Sequence, residues 1–281
     1  MLMDMGCMPC FIRQVLREID GSDLDEKGKI RVMRDMLSML SRMDYDKAPV
    51  DVSLMMHLRM MELGVSRDPY HHLKVTSTEK ALLAVKDIES AIRTSDDPIY
   101  GSILSSLAGN VIDYGAKNQL DLHEVLHNAR EMGFRLNDHE MFRKELERAR
   151  NVVIFLDNSG EVVFDHFMIR TIHREYPEIR FRVIVKKVPL LNDVTKNDVA
   201  QAGMDEDYID IEELSEDGWV KPNHLKLYPD ADIIIAKGQG NFESLSEEKG
   251  VYFLFVVKCD IVSAHLNVDV GEMVFMYTGD D

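Results

Sequence analysis

Apolar positions fall into two regimes that meet near Arg150. Before it, Val32, Met33, Met36, Leu37, Leu40 and Met43 recur at three- and four-residue steps, the period of one helix face. Leu54, Met55, Leu58 and Met61 repeat the pattern and stop at Gly64, a residue suited to a helix C-terminus. Thr76 followed by Glu79 reads as a capping box ahead of Ala81, Leu82, Val85 and Ile88. Ile99 to Tyr114, Leu122 to Met132 and Asp138 to Arg150 read as helices on the same grounds, and no stretch in this half reads as a strand. Beyond Arg150 the apolar residues gather into short β-branched runs: Val152–Leu156, Val183–Val185, Ile233–Ala236, Tyr252–Val257 and Met273–Tyr277. Such runs predict strands buried on both faces. The first four are separated by enough chain for crossovers, including helices expected over Glu161–Glu175 and Lys196–Gln201. The pattern therefore predicts an all-helical domain over 1–150. A doubly wound, largely parallel α/β/α domain with three layers is expected over 151–281.

Charge follows the same division. The 281 residues carry 33 Lys and Arg against 50 Asp and Glu, a formal charge of -17. Up to Arg150 there are 21 basic and 25 acidic residues; the remainder has 12 and 25, so the acid excess lies mainly in the second half. A field of this sign repels phosphate backbones and anionic membranes, which excludes bulk nucleic-acid binding and disfavours membrane-surface binding. The opening MLMDMGCMPCF has no basic region or long apolar run, and no stretch approaches the length of a membrane span. Three cysteines, an odd number, suit a reducing cytoplasm. Of 18 methionines, 14 precede Arg150, and plain core packing accounts for their stripes.

In open α/β sheets the ligand crevice lies outside the carboxyl ends of the strands. The first run ends in Asp157-Asn158-Ser159-Gly160-Glu161, and the second is followed by Asn192-Asp193-Val194-Thr195. The third leads into Lys237-Gly238-Gln239-Gly240-Asn241-Phe242-Glu243, and the fourth into Lys258-Cys259-Asp260. Asp and Asn oxygens suit a hard divalent cation such as magnesium or manganese, and a lysine suits a phosphate oxygen. The glycines allow close backbone approach. Together these loops suggest metal-assisted chemistry on a phosphorylated small molecule. The same residue types also serve ordinary tight turns and helix caps, so no single loop decides the matter. The G-x-G of Gly238 and Gly240 continues into Glu243 where a dinucleotide fingerprint needs a third small residue. No phosphate-binding P-loop occurs, and Ser159 replaces the second aspartate of a haloacid-dehalogenase phosphatase.

These segments resemble the damage-control phosphatases, the family of domain-of-unknown-function eighty-nine. Asp68-Pro69-Tyr70 with Lys74, and Gly109-Asn110 with Asp113, are similar to segments of that family, and Cys7-Met8-Pro9-Cys10 resembles the C-x-x-C of its prokaryotic branch. The resemblance implies a helical domain packed on the α/β domain, both contributing to one cleft. It implies a metal-dependent phosphatase of small phosphorylated metabolites, such as sugar phosphates, using magnesium, manganese, cobalt or nickel. Asp157, Asn158 and Asp193 would hold the ion, with Asp157, Asp193 and Lys237 carrying the chemistry. Lys237 with Gly238 and Gly240, and Ser159, Gly160 and Glu161, would surround the phosphate; Asn110 and Asp113 would reach it from the helical half. Glu161 is open between a carboxylate behind the ligands and a first-turn helix acid. Water and Asp157 are both open as the attacking group. Two other readings are an S-adenosylmethionine-dependent carboxyl methyltransferase and a non-catalytic phosphometabolite-binding protein. Cys7 and Cys10 fall at a helix start, where the dipole would favour the thiolate for redox or metal chemistry. No second cysteine pair completes a zinc site.

Overall fold

The computed structural model describes residues 1–66, 68, 70–113, 131–214 and 218–279, with the backbone alone at 108–113. Three helices come first: α1 (Met8–Asp20), α2 (Glu26–Leu40) and α3 (Pro49–Glu62). Phe11, Val15 and Ile19 fall at four-residue steps on α1 and bury one face of it. They meet Val32, Met36 and Leu40 of α2 and Val52, Met56 and Met60 of α3 in a separate, methionine-rich core. Past α3, Gly64 takes a φ of 96°, and Val65 N–H returns to Met60 O at 3.0 Å, the left-handed stop expected there.

Two longer helices follow, α4 (His71–Arg93) and α5 (Pro98–Asp113). Because α4 begins at His71, the expected capping box is not a helix start: Thr76 lies inside the helix and its hydroxyl donates to His72 O at 2.9 Å. Most of the helix expected over Leu122–Met132 lies outside the described residues.

The remaining elements alternate. They are β1 (Phe134–Asn137), α6 (His139–Leu146), β2 (Asn151–Phe155), α7 (Val162–Glu175), β3 (Arg180–Val185), α8 (Lys196–Gln201) and β4 (Ile209–Glu213). Then come α9 (Pro222–Leu225), β5 (Ile233–Lys237), α10 (Gln239–Leu245), β6 (Tyr252–Val256), α11 (Asp260–Leu266) and β7 (Met273–Tyr277). The strands form one seven-stranded sheet in the order β1-β7-β6-β5-β2-β3-β4. Every pair is parallel except β6 with β7. All five apolar runs are strands, and alternate side chains enter opposite cores: Val152 and Ile154 of β2 face one, Val153 and Phe155 the other. The mixed α/β fold with a largely parallel sheet is thus as expected.

Two strands and one boundary differ from expectation. β1 and β4 are the two edge strands, and three of the five residues of β4 are acidic, so neither carries a buried apolar run. β1 lies before Arg150, so the first 150 residues are not wholly helical. Packing also divides earlier: α4 and α5 join the core formed by α7 and one sheet face, whereas α1 to α3 cluster apart. The shift in composition at Arg150 marks the entry into β2 rather than the edge of a core.

Phe142 of α6 is fully buried, with its ring edge-on to Tyr252 at 5.2 Å and to Phe275 at 5.3 Å. Phe142→Ala removes this link between α6 and the sheet and is expected to lower the unfolding free energy by about 3–5 kcal/mol, read from denaturant unfolding.

Candidate active site

The loops after β2 and β3 are fastened together. Asn158 and Asp193 form an isolated antiparallel bridge, Val194 N–H donates to Asp157 O at 2.8 Å, and Ser159 N–H and Oγ both donate to Asn192 O at 3.0 Å. Ser159 O in turn accepts from Thr78 of α4 at 3.4 Å. Ser159 is therefore a latch between the loops and the helical layer. Gly160 is buried beside it without a left-handed φ. The latch places Asp157, Asn158 and Asp193, each buried, on one wall of a cavity of about 750 Å³.

Burial, and then Glu161, raises the Asp157 carboxyl pKa to about 6, while Lys258, Lys186 and Lys237 oppose the shift. Burial also holds Asp193 well above the usual carboxylate range, with Lys186 opposing. Asn158 Nδ2 donates to Asp157 Oδ2 at 2.9 Å and to Glu161 Oε1 at 2.8 Å, which leaves Oδ1 as the atom Asn158 can offer a cation. Asp193 Oδ2 is buried without a hydrogen-bond donor, 3.7 Å from Lys186 Nζ. Two buried carboxyl groups and an amide oxygen, one carboxylate oxygen without a hydrogen-bond donor, fit a hard divalent ion. Among the described residues no three His, Cys, Asp or Glu side chains gather as a metal-holding group. The set here is two aspartates and an asparagine.

The glycine loop serves this carboxylate. Gly238 has a φ of 82°, and a Cβ there would lie 2.0 Å from Asp157 Oδ2. At Gly240 a Cβ would lie 2.6 Å from the Trp219 ring. The two glycines thus accommodate an aspartate and an indole, and the loop is not arranged as a dinucleotide fingerprint.

Lys237 does not line the cavity. It lies beneath the site, fully buried, with Nζ donating to Ser106 Oγ at 2.6 Å, Asp165 Oδ1 at 2.7 Å and Glu161 Oε2 at 3.0 Å. Burial works to lower its pKa, but Asp165 and Glu161 more than reverse this, so the ammonium is held charged. Glu161 lies behind Asn158: one of its oxygens meets Asn158 and the other Lys237. The lysine that does line the cavity is Lys258, at the end of β6. Lys186 was not singled out from sequence. It is buried after β3, its Nζ 3.1 Å from Asn241 Oδ1 and 4.4 Å from the Trp219 ring centre. Its position one residue beyond an apolar run was the available signal.

From the helical half, α5 delivers Ser106 to Lys237, and Lys74 of α4 bonds Asp198 at 3.1 Å, with Asp68 3.6 Å away. Tyr70 lines the cavity. The side chains of Gly109, Asn110 and Asp113 lie outside the described residues, as does Pro69. Cys7, Cys10 and Cys259, all free, line the same cavity. Cys7 closes a short turn (Met5–Cys7) before α1, and burial pushes its thiol pKa up, the reverse of the expected dipole effect.

A doubly wound α/β protein with its crevice at the carboxyl ends of parallel strands, floored by paired acids and buried lysines, is the class that fold and site define. Residues 3–274 match the family described as the damage-control phosphatase ARMT1-like domain, and the chain belongs to it. It is 28% identical over 285 residues to a damage-control phosphatase of Archaeoglobus fulgidus, covering 95% of this chain and 96% of the relative. An uncharacterized protein of Methanocaldococcus jannaschii is 28% identical over 292 residues, covering 96% and 93%. The crystal structure of a DUF89 family protein from Pyrococcus horikoshii superposes with a TM-score of 0.86 at 26% identity, covering 99% of both chains. The relatives named for an activity are named as phosphatases, which does not favour the methyltransferase reading.

Gly238→Ala places a methyl group against Asp157 in a backbone conformation that disfavours it. The expected result is loss of the phosphatase activity proposed below, with a stability cost of about 1–3 kcal/mol, separated by assaying turnover and unfolding on the same preparation.

Proposed function

We propose that this protein is a divalent-metal-dependent phosphatase of small phosphorylated metabolites, sugar phosphates or related phosphomonoesters, working in a reducing cytoplasm. The observation that carries this reading is the pair of buried aspartates, Asp157 and Asp193, bridged through Asn158 on one cavity wall, with Asp193 Oδ2 lacking a hydrogen-bond donor. Family membership gives the reaction class, and the three free thiols suit the compartment. No helix among the described residues is long and apolar enough to cross a membrane.

Asp157, Asn158 and Asp193 would hold the ion. Magnesium, manganese, cobalt or nickel would suit these oxygens, and when bound it supplies positive charge to the phosphoryl oxygens. Lys258 places a second positive charge on the cavity wall, where it meets the phosphate. Lys237 does not touch substrate on this reading. Its ammonium holds one oxygen of Glu161, the other oxygen of Glu161 fixes the Asn158 amide, and the Asn158 oxygen is thereby aimed. Lys186 sets the Asp193 carboxyl from behind, and Gly238 leaves room for that of Asp157.

With p-nitrophenyl phosphate, turnover should vanish on chelation and return with one of the four metals. Asp193→Asn should lower kcat/KM by roughly 100-fold and, because it removes the buried carboxylate facing Lys186, should also cost about 3 kcal/mol of stability, read by unfolding the same preparation. Turnover that survives chelation would overturn the metal-dependent reading. The two lysines should separate. Lys258→Gln should raise KM about tenfold in a protein of unchanged stability. Lys237→Met should cost about 3–5 kcal/mol of stability, because it strands Asp165 and Glu161 in the interior.

A further inference from the structure

The cavity, about 750 Å³, is larger than a phosphate and an ion require, and part of its lining belongs to α1. Cys10, Arg13, Gln14 and Arg17 line it. These positions are spaced by three and four residues and so share one helix face. The other face, Phe11, Val15 and Ile19, is buried in the small helical core. The polar face of α1 is thus turned toward the cavity that also holds Asp157 and Asp193.

Two features make this wall more than a solvated helix surface. First, it is held in register by buried polar contacts. Gln14 Nε2 donates to Glu18 Oε1 at 2.8 Å, His57 Nδ1 lies 2.8 Å from Glu18 Oε2, and Ser53 Oγ donates to Gln14 Oε1 at 2.8 Å. Glu18 and His57 are almost wholly buried, so α1 is fixed on α3 at the level of the arginines. Second, in a chain with 50 acidic residues, neither guanidinium is paired with a carboxylate among the described residues. Arg13 Nη2 donates to Cys10 Sγ at 3.3 Å, and Arg17 makes no side-chain bond among the described residues. Glu243, also on the lining, is engaged elsewhere: its Oε1 accepts from Gln239 Nε2 at 2.8 Å.

We propose that Arg13 and Arg17 form a second anion subsite, and that the preferred substrates are phosphomonoesters carrying another anionic group, a carboxylate or a second phosphate, at the end remote from the scissile phosphate. Guanidinium forks match both groups. Against the net charge of -17, two unpaired arginines also give a doubly anionic ligand a local region of favourable potential. This subsite rests on the phosphatase reading for the direction in which substrate lies, and its test is therefore binding rather than turnover.

Three probes of matched chain length are compared by calorimetry on the full chain with magnesium: hexyl phosphate, the phosphate ester of hydroxyhexanoate, and hexanediol bisphosphate. The wild type should bind at least one of the two dianionic-ended probes about tenfold more tightly than hexyl phosphate, and which of them it prefers identifies the group. Arg17→Gln and Arg13→Gln should each remove roughly three- to tenfold of that advantage, and Arg17→Lys should keep part of it. Equal binding of all three probes by the wild type would overturn the subsite, as would an undiminished advantage in the double Gln variant. If the chain binds the probes with this pattern but hydrolyses no phosphate ester, the phosphatase reading fails and the subsite stands.

Discussion

The buried ammonium of Lys237 is the contact on which the site's geometry depends. It joins β5, which carries it, to Ser106 of α5, to Asp165 of α7 and to Glu161 at the start of that helix. Removing two carboxylates and an ammonium from water costs several kcal/mol per ion before their attraction is counted. The cost is offset because each proton of the ammonium has an acceptor and Ser106 adds a further hydroxyl bond to Asp165, at 2.5 Å. Buried ion pairs of this kind often add no stability over apolar packing of the same volume. What the ions add is direction: Glu161 turned toward Lys237 presents its other oxygen to Asn158, which is thereby oriented beside Asp157.

The same network explains why the helical layer is part of the site. Ser106 reaches Lys237 from α5, Thr78 reaches Ser159 from α4, and Lys74 reaches Asp198 in the capping box of α8. Asp198 in turn accepts from Thr195 N–H at 2.8 Å, fixing the loop that begins at Asp193. Both acid-bearing loops are therefore braced by α4 and α5 as well as by the sheet. Sub-ångström placement of ligands demands such bracing, since loops held only at their ends do not supply it.

Residue type was legible in the sequence where period and strand ends sufficed, and role was not. Val152–Leu156 announces a buried strand, so Asp157 and Asn158 could be placed at its end, and the run Val183–Val185 did the same for the loop holding Asp193. Lys237 was equally visible, but whether a lysine at a strand end faces ligand or core depends on which carboxylates fold beneath it. Asp165, on the buried face of α7, carries no sequence mark separating it from a solvated helix acid. Its pKa, raised to about 6 chiefly by burial, is a product of tertiary packing. β1 and β4 escaped for a related reason: edge strands bury one side and need no apolar run. The glycines were legible as positions of close approach, while the neighbour approached, Asp157 rather than a ligand, was not.

The small core of α1 to α3 has a different relation to the chemistry. It meets the α/β layers through a narrow seam: Val50 of α3 with Leu190 and Trp219, Ile261 against the helical core, and the Met1 ammonium on Glu243 O at 2.8 Å. None of these contacts passes through Lys237 or Asp165. Asp157, Asn158 and Asp193 are braced by α4, α5 and the sheet, whereas α1 supplies a wall to the same cavity from an independent core. Substitution on the polar face of α1 can therefore alter what the cavity accepts at its far end without shifting Asp157, Asn158 or Asp193. Coupling between the two walls runs through Trp219, which packs on Val50 and lies against Gly240 and beneath the Lys186 ammonium. A change there would disturb both walls at once, because the indole lines the cavity and touches both the helical core's seam and a lysine set against Asp193.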